Sequence, residues 1–191
     1  VDLVETAVQV IQRDGLVVYP TDTVYGLGGD ALSDEAIEKV FEAKGRDLST
    51  PISVAVADIE MLAALAHVDS FAEEFIGAFL PGPVTVVLMA RNIIPALLTG
   101  GTGMIGLRIP AHEVPLRITS ILDGPITATS ANRSGAPDPR TAAECHVPHD
   151  LLLDYGPLPG TPSTVVDLVN RTVIRPGVGQ ARVREFLATH E

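Results

Sequence analysis

Short aliphatic runs of strand length are interspersed irregularly with stretches whose apolar residues recur at helical spacing, and this mixture restricts the chain to a mixed α/β fold. Leu16 to Tyr19, Ile52 to Ala57, Val84 to Met89, Met104 to Ile109 and Pro125 to Thr129 read as strands. Val4, Ala7, Val8 and Ile11 predict an amphipathic helix over 2–13, stopped by Gly15. Ser33, followed by Asp34 and Glu35, opens a second helix that buries Ile37, Val40 and Phe41 and ends near Gly45. Ser70-x-x-Glu73 predicts a capping box for a helix to about Phe79, and Thr141-x-x-Glu144 predicts another box. A further helix is expected over Val114 to Leu122, and a hairpin joins Thr164–Val169 to Thr172–Ile174 across Asn170-Arg171. Strands and helices do not alternate strictly, which argues against a clean doubly wound parallel sheet.

The 191 residues fit one domain, expected to span 1–191. With 46% apolar residues but only 4% aromatic and no Trp, the core must be built from Val, Ile, Leu and Ala. The net charge of −11 repels nucleic-acid phosphates at long range, so stable gripping of DNA or RNA is not expected, although a local basic pocket is allowed. The single cysteine, Cys145, excludes an internal disulfide and a cysteine-based metal site. No apolar run is long enough to span a membrane, and the first residues lack a signal-peptide block, which points to the cytoplasm.

Several motifs carry polar chemistry on an apolar frame. Gly101-x-Gly103-x-x-Gly106 matches the dinucleotide pattern, but a strand-like run follows it where a helix is required. No Walker A sequence is present, and the five histidines show no metal-ligand spacing and read as surface residues. The loop from Pro20 to Gly28 carries two hydroxyls, a carboxylate and a phenol; it suits a small polar ligand, or is simply a hydrogen-bonded turn. Lys44 and Arg46 close a helix, where cations also serve as ordinary dipole complements. Arg108 lies in an apolar strand and needs an anionic partner, either a core carboxylate or a ligand. Thr127 to Asn132 leaves a strand into small polar residues, at the kind of strand end where ligands bind. Pro157 to Pro162 reads as a surface loop near the site.

Taken in order, Tyr19–Gly28, Lys44-Gly-Arg46, Pro81-Gly-Pro-Val-Thr85, Leu107–His112, Thr129-Ser-Ala-Asn132, Ser163-Thr164 and Arg175-Pro-Gly177 resemble the YrdC-like family over nearly the whole chain. The resemblance implies a twisted, mixed, open α/β sheet flanked by helices, with a concave active-site cleft. It implies a nucleotidyltransferase that forms threonylcarbamoyl-adenylate and pyrophosphate from L-threonine, bicarbonate and ATP. The product would feed a downstream tRNA threonylcarbamoyl transferase complex that modifies the adenosine beside the anticodon. Carried over by motif, Thr23, Arg108, Thr129 and Ser163 would hold threonine. Lys44 and Arg46 would act catalytically and, with Thr50, Ser130, Asn132 and Arg175, would surround ATP. Magnesium would be held mainly by ATP phosphates, with no protein metal cage. Many relatives place a histidine near the threonine where this chain has Ala55, which changes the expected shape of that pocket. The chain ends soon after Arg175-Pro-Gly177 and resembles the short, single-domain form.

Two other readings remain. One is a YrdC-like nucleotide- or RNA-binding protein without synthase activity; retention of Lys44, Arg46, Ser130 and Asn132 weighs against it. The other is a carbamoyl-adenylate-forming enzyme of the hydrogenase-maturation kind, whose zinc-finger modules one cysteine cannot supply.

Overall fold

Helix α1 (Leu3–Ile11) forms where the spacing predicts, and it buries Val4, Ala7, Val8 and Ile11 on one face. The computed structural model describes residues 2–190. Asp2 caps α1 by accepting from the Val4 N–H, and its carboxylate also pairs with Arg117 of helix α6 (Glu113–Leu122), against which α1 packs. Helix α2 (Asp34–Lys44) starts at Ser33 and buries Ile37, Val40 and Phe41. It stops at Gly45, whose left-handed φ of 58° lets the Arg46 N–H turn back to the Phe41 carbonyl.

The strands divide between two mixed sheets. One has four strands in the order β7-β2-β1-β8: β1 (Val17–Tyr19), β2 (Gly26–Gly28), β7 (Thr129–Ser130) and β8 (Leu151–Leu152). The other has six in the order β10-β9-β4-β5-β3-β6: β3 (Val54–Ala55), β4 (Val84–Met89), β5 (Met104–Arg108), β6 (Ile126–Thr127), β9 (Thr164–Asp167) and β10 (Thr172–Arg175). Pairing is parallel for β1 with β8, β3 with β5 and β4 with β9, and antiparallel elsewhere. The mixed α/β arrangement expected from the sequence is what the chain adopts.

Pro125 to Thr129, expected as one strand, is two. The chain crosses from the larger sheet to the smaller at Ala128, so the two sheets meet there. Tyr19 reinforces the junction, because its buried hydroxyl donates to the Thr127 carbonyl at 2.8 Å. The aliphatic core falls into two clusters. One, around Tyr19, Ala55 and Ile126, lies under α1 and α6; the larger one extends beneath α2 and α4 (Ser70–Phe79).

Several elements escape sequence reading. Helices α3 (Ile59–Leu65), α5 (Ala96–Thr99) and α7 (Gln180–Thr189) and strands β2 and β8 are additional. The α4 cap is Asp69 rather than Ser70, with its side chain accepting from the Ala72 N–H. Thr141 makes no cap bond, and only a 3₁₀ turn, Ala142–Glu144, follows it. Glu144 instead accepts from the Arg140 N–H. The β9–β10 hairpin forms, but β9 ends at Asp167, whose carboxylate accepts from the Val169 and Asn170 N–H groups. His67, His146 and His149 are exposed, as expected, whereas His112 and His190 are partly buried. His112 caps α6, with Nδ1 accepting from the Val114 N–H. Gly101 and Gly103 lie in a turn before β5 and Gly106 lies within it, so the glycines open a strand rather than a helix and the dinucleotide reading fails.

Candidate functional site

At the junction of the sheets lies a polar cleft with about 130 Å³ of enclosed space. Thr23, Arg46, Arg108, Thr129, Ser130, Ser163 and Arg175 line it, seven of the residues singled out from sequence. Lys44, Thr50 and Asn132 do not line it. Residues separated by up to about 150 positions converge because β5, β7 and β10 end there and β9 begins there, while α2 delivers Arg46 just beyond its last turn.

Lys44 is 2% exposed and spends all three ammonium hydrogens on one turn: the Ser130 carbonyl at 2.6 Å, the Asn132 carbonyl at 2.7 Å and Asn132 Oδ1 at 2.9 Å. Ser130 Oγ donates to the same Oδ1 at 2.7 Å, and Asn132 Nδ2 donates to the Ala136 carbonyl at 2.7 Å. Lys44 and Asn132 therefore shape the wall that presents Ser130. Thr50 is exposed on the rim, in a turn closed by its N–H to the Asp47 carbonyl.

Burial pulls the Lys44 ammonium down to about 8; the Arg46 charge adds to the shift and Asp138 opposes it. An unfolded lysine holds its proton to about 10.5. Between these values the unfolded chain carries more protons, so the Lys44 contribution to stability rises with pH from about 8 to 10.5 and is constant below. The melting temperature of the parent chain, taken relative to Lys44→Met, is expected to climb across that window. A flat difference would show that folding does not depress the Lys44 pKa.

Arg108 is the most constrained cation. It donates to Asp22 Oδ1 at 2.5 Å through NH2 and to Thr23 Oγ1 at 3.2 Å through NH1. Its anionic partner in this structure is thus a protein carboxylate, while Arg108 Nε and Asp22 Oδ2 are buried without partners. Burial lowers the Arg108 pKa, with Asp22 opposing and Arg175 adding to the fall. Arg46 is lowered by burial and then by Arg175; NH2 donates to the Pro51 carbonyl at 2.7 Å and Nε is buried without a partner. Arg175 reaches the Ser163 carbonyl at 2.9 Å and Ser163 Oγ at 3.2 Å. Sequence reasoning assigned no role to Asp22, Ser53, Thr85 or Asp138, although Asp22 and Thr85 stand inside the quoted motifs. Nothing in the sequence marked Ser53 or Asp138, whose positions depend on strand register and on the 132–138 turn.

Three guanidiniums converge on one hydroxyl-lined cleft in an α/β chain of net charge −11, a donor set whose chemistry suits a small polyanion or carboxylate. The Sua5/YciO/YrdC family model, described as telomere recombination, matches residues 9–177, and the chain belongs to that family. A threonylcarbamoyl-AMP synthase of Pyrococcus abyssi is 40% identical over 177 residues, covering 87% of this chain and 52% of the relative. One from Bacillus subtilis is 36% identical, covering 90% and 52%. This chain therefore spans about half the length of these relatives. The crystal structure of P. abyssi Sua5 complexed with L-threonine superposes with a TM-score of 0.91 at 35% identity, covering 96% of this chain and 56% of that one.

Proposed function

We propose that this chain is an L-threonylcarbamoyladenylate synthase, a nucleotidyltransferase acting on L-threonine, bicarbonate and ATP in tRNA modification. The observation that carries the reading is the convergence of Arg46, Arg108 and Arg175 with Thr23, Ser130 and Ser163 on one cleft. The relatives named above supply the substrate class. Residues 1–191 are taken as one catalytic unit, working in the cytoplasm; among the described residues no helix is long and apolar enough to cross a membrane.

In the reaction the threonine amine nitrogen bonds to the bicarbonate carbon, a C–O bond breaks and water leaves, giving the carbamate. A carbamate oxygen then attacks the α-phosphorus, and the bond to the bridging oxygen breaks as pyrophosphate leaves. This step needs positioning and charge neutralisation rather than a protein nucleophile. Arg108 and Thr23, with Thr129 and Ser163 beside them, hold the threonine carboxylate side. Arg46, Arg175 and Ser130 face the phosphates. Lys44 and Asn132 hold Ser130 in place, and Thr50 flanks the nucleotide at the rim. The enclosed space is smaller than a nucleotide-sized pocket of about 300 Å³ or more, so the adenosine lies towards the mouth.

Asp138 is the one carboxylate among the described lining residues. That donor set fits a magnesium ion held mainly by phosphates and water, with Asp138 as the protein oxygen at hand. Such an ion neutralises phosphate charge when bound. The product passes to a tRNA threonylcarbamoyl transferase complex.

Pyrophosphate release from ATP is expected only when threonine and bicarbonate are both present; release unchanged by omitting threonine overturns the reading. The competing reading is a nucleotide- or RNA-binding protein without synthase activity. It predicts a salt-sensitive RNA gel shift with no pyrophosphate formed.

A further inference from the structure

The phenol of the Pro20–Gly28 loop does not line the cleft. Tyr25 is fully buried, and its hydroxyl is spent on the segment that follows β8. Oη donates to the Gly156 carbonyl at 2.8 Å and accepts from the Tyr155 N–H at 3.0 Å. The main chain of the same residue reaches two further positions. Its N–H donates to the Pro139 carbonyl and its carbonyl accepts from the Ala131 N–H, both at 2.9 Å. One residue thus ties the 130–139 turn and the 154–156 turn to the loop that carries Thr23.

Residues 154–162 form a strap rather than a free loop. Leu158 is buried in the larger core cluster, and its N–H donates to the Arg140 carbonyl at 2.7 Å. The Gly160 N–H donates to the Thr23 carbonyl at 2.9 Å, and the chain then delivers Pro162 and Ser163 to the cleft wall. At the other end Asp154, which is exposed, accepts from the Gly156 N–H at 2.9 Å and reinforces the turn that Tyr25 holds. The strap therefore runs from the Tyr25 hydroxyl to the backbone of Thr23. Arg46 and Ser130 are held by other groups, the Pro51 carbonyl and the Asn132 side chain.

We infer that Tyr25 is a positioning residue for one end of the cleft, acting through the 154–162 strap and touching no substrate itself. The inference rests on the synthase reading and deepens it. Burial of the ring fixes the hydroxyl in space, and its two hydrogen bonds set where the strap lies. Through Gly160 that placement becomes the placement of Thr23, whose Oγ1 accepts from Arg108. The end that holds Thr23 and Arg108 depends on the phenol, and the end that faces the phosphates does not. Small misplacements of groups that hold a reactant are costly, so a hydroxyl outside the cleft can tune the reaction inside it.

The test is steady-state pyrophosphate release by the parent and by Tyr25→Phe, with threonine and ATP varied in turn. The substitution keeps the ring and the main-chain bonds and removes only the hydroxyl. The KM for threonine is expected to rise about fivefold, the net worth of roughly one neutral hydrogen bond, while the KM for ATP stays within about twofold of the parent. A merely structural role would lower the active fraction, and with it the apparent kcat, and leave both KM values alone. Should Tyr25→Phe fail to fold, Asp154→Ala loosens the same turn from its exposed side and is read by the same criteria. A threonine KM within about twofold of the parent, or an equal rise in both KM values, overturns this inference and leaves the synthase reading standing. If the parent releases no threonine-dependent pyrophosphate, the synthase reading falls and this inference falls with it.

Discussion

Arg46→Ala is expected to lower kcat/KM for ATP by about a hundredfold while leaving the fold intact. Removing one preorganised donor from developing charge costs about 10²- to 10³-fold in well-studied cases. Arg46 fits that role because its charge is poorly compensated in the protein. Burial and the nearby Arg175 both depress its pKa, its Nε is buried without a partner, and no carboxylate pairs with it among the described residues. A polyanion entering the cleft relieves all three conditions at once. Deleting the side chain removes an unfavourable buried charge, so the melting temperature holds or rises. Arg46→Lys restores charge but not the planar fork, and recovers only part of the loss. Steady-state pyrophosphate release checks both variants, and parent-like kcat/KM in Arg46→Ala would rule out the role.

Asp22→Ala is expected to act in the opposite way, on stability first. Asp22 and Arg108 are 2.5 Å apart, with side chains only 13% and 6% exposed. Breaking a buried pair by removing one partner typically costs about 3–5 kcal/mol, because the remaining charge is left uncompensated. Here the stranded Arg108 would also face Arg175. Urea denaturation should show the loss as a lower midpoint at constant slope. The double variant Asp22→Ala/Arg108→Met should recover much of it, since neither buried charge then remains. A loss below about 1 kcal/mol would mean that the pair behaves as an exposed one.

Local signals in the sequence were enough for the elements with strong periodicity or caps: α1, α2 and the strand Val84–Met89. Elements defined mainly by what covers them were not legible. Gly26-Leu27-Gly28 has little strand propensity of its own, and it pairs because the Tyr19 ring packs over both glycines. The α4 cap falls one residue earlier than the capping box places it, at Asp69, whose side chain accepts from the Ala72 N–H. At the site, ordered motifs located the three arginines but not what each one does. In the sequence Arg108 needs an anion, from the core or from a ligand, and the fold places the Asp22 carboxylate there. Beside Arg46 in the sequence, Lys44 reads as a second cation for ATP; in the fold its ammonium is hydrogen-bonded to the Ser130–Asn132 turn. Ala55, read as altering the amino-acid pocket, is buried in the cluster beneath α1 and α6 and does not line the cleft.

The splitting of Pro125–Thr129 between the two sheets bears on how the chain folds. The cleft needs β6 and β7 seated in different sheets, β1 paired with β8 across more than 130 residues, and β4 paired with β9 across about 80. Such non-local pairings incur loop-closure entropy before they return contact energy, and chains dominated by them fold slowly. The β9–β10 hairpin joins Arg175 to Ser163 locally, but Thr23, Arg46 and Ser130 reach the cleft only through the non-local pairings. Nucleotide affinity should therefore appear in refolding only with the slowest phase, and ATP should slow unfolding without accelerating the earlier steps.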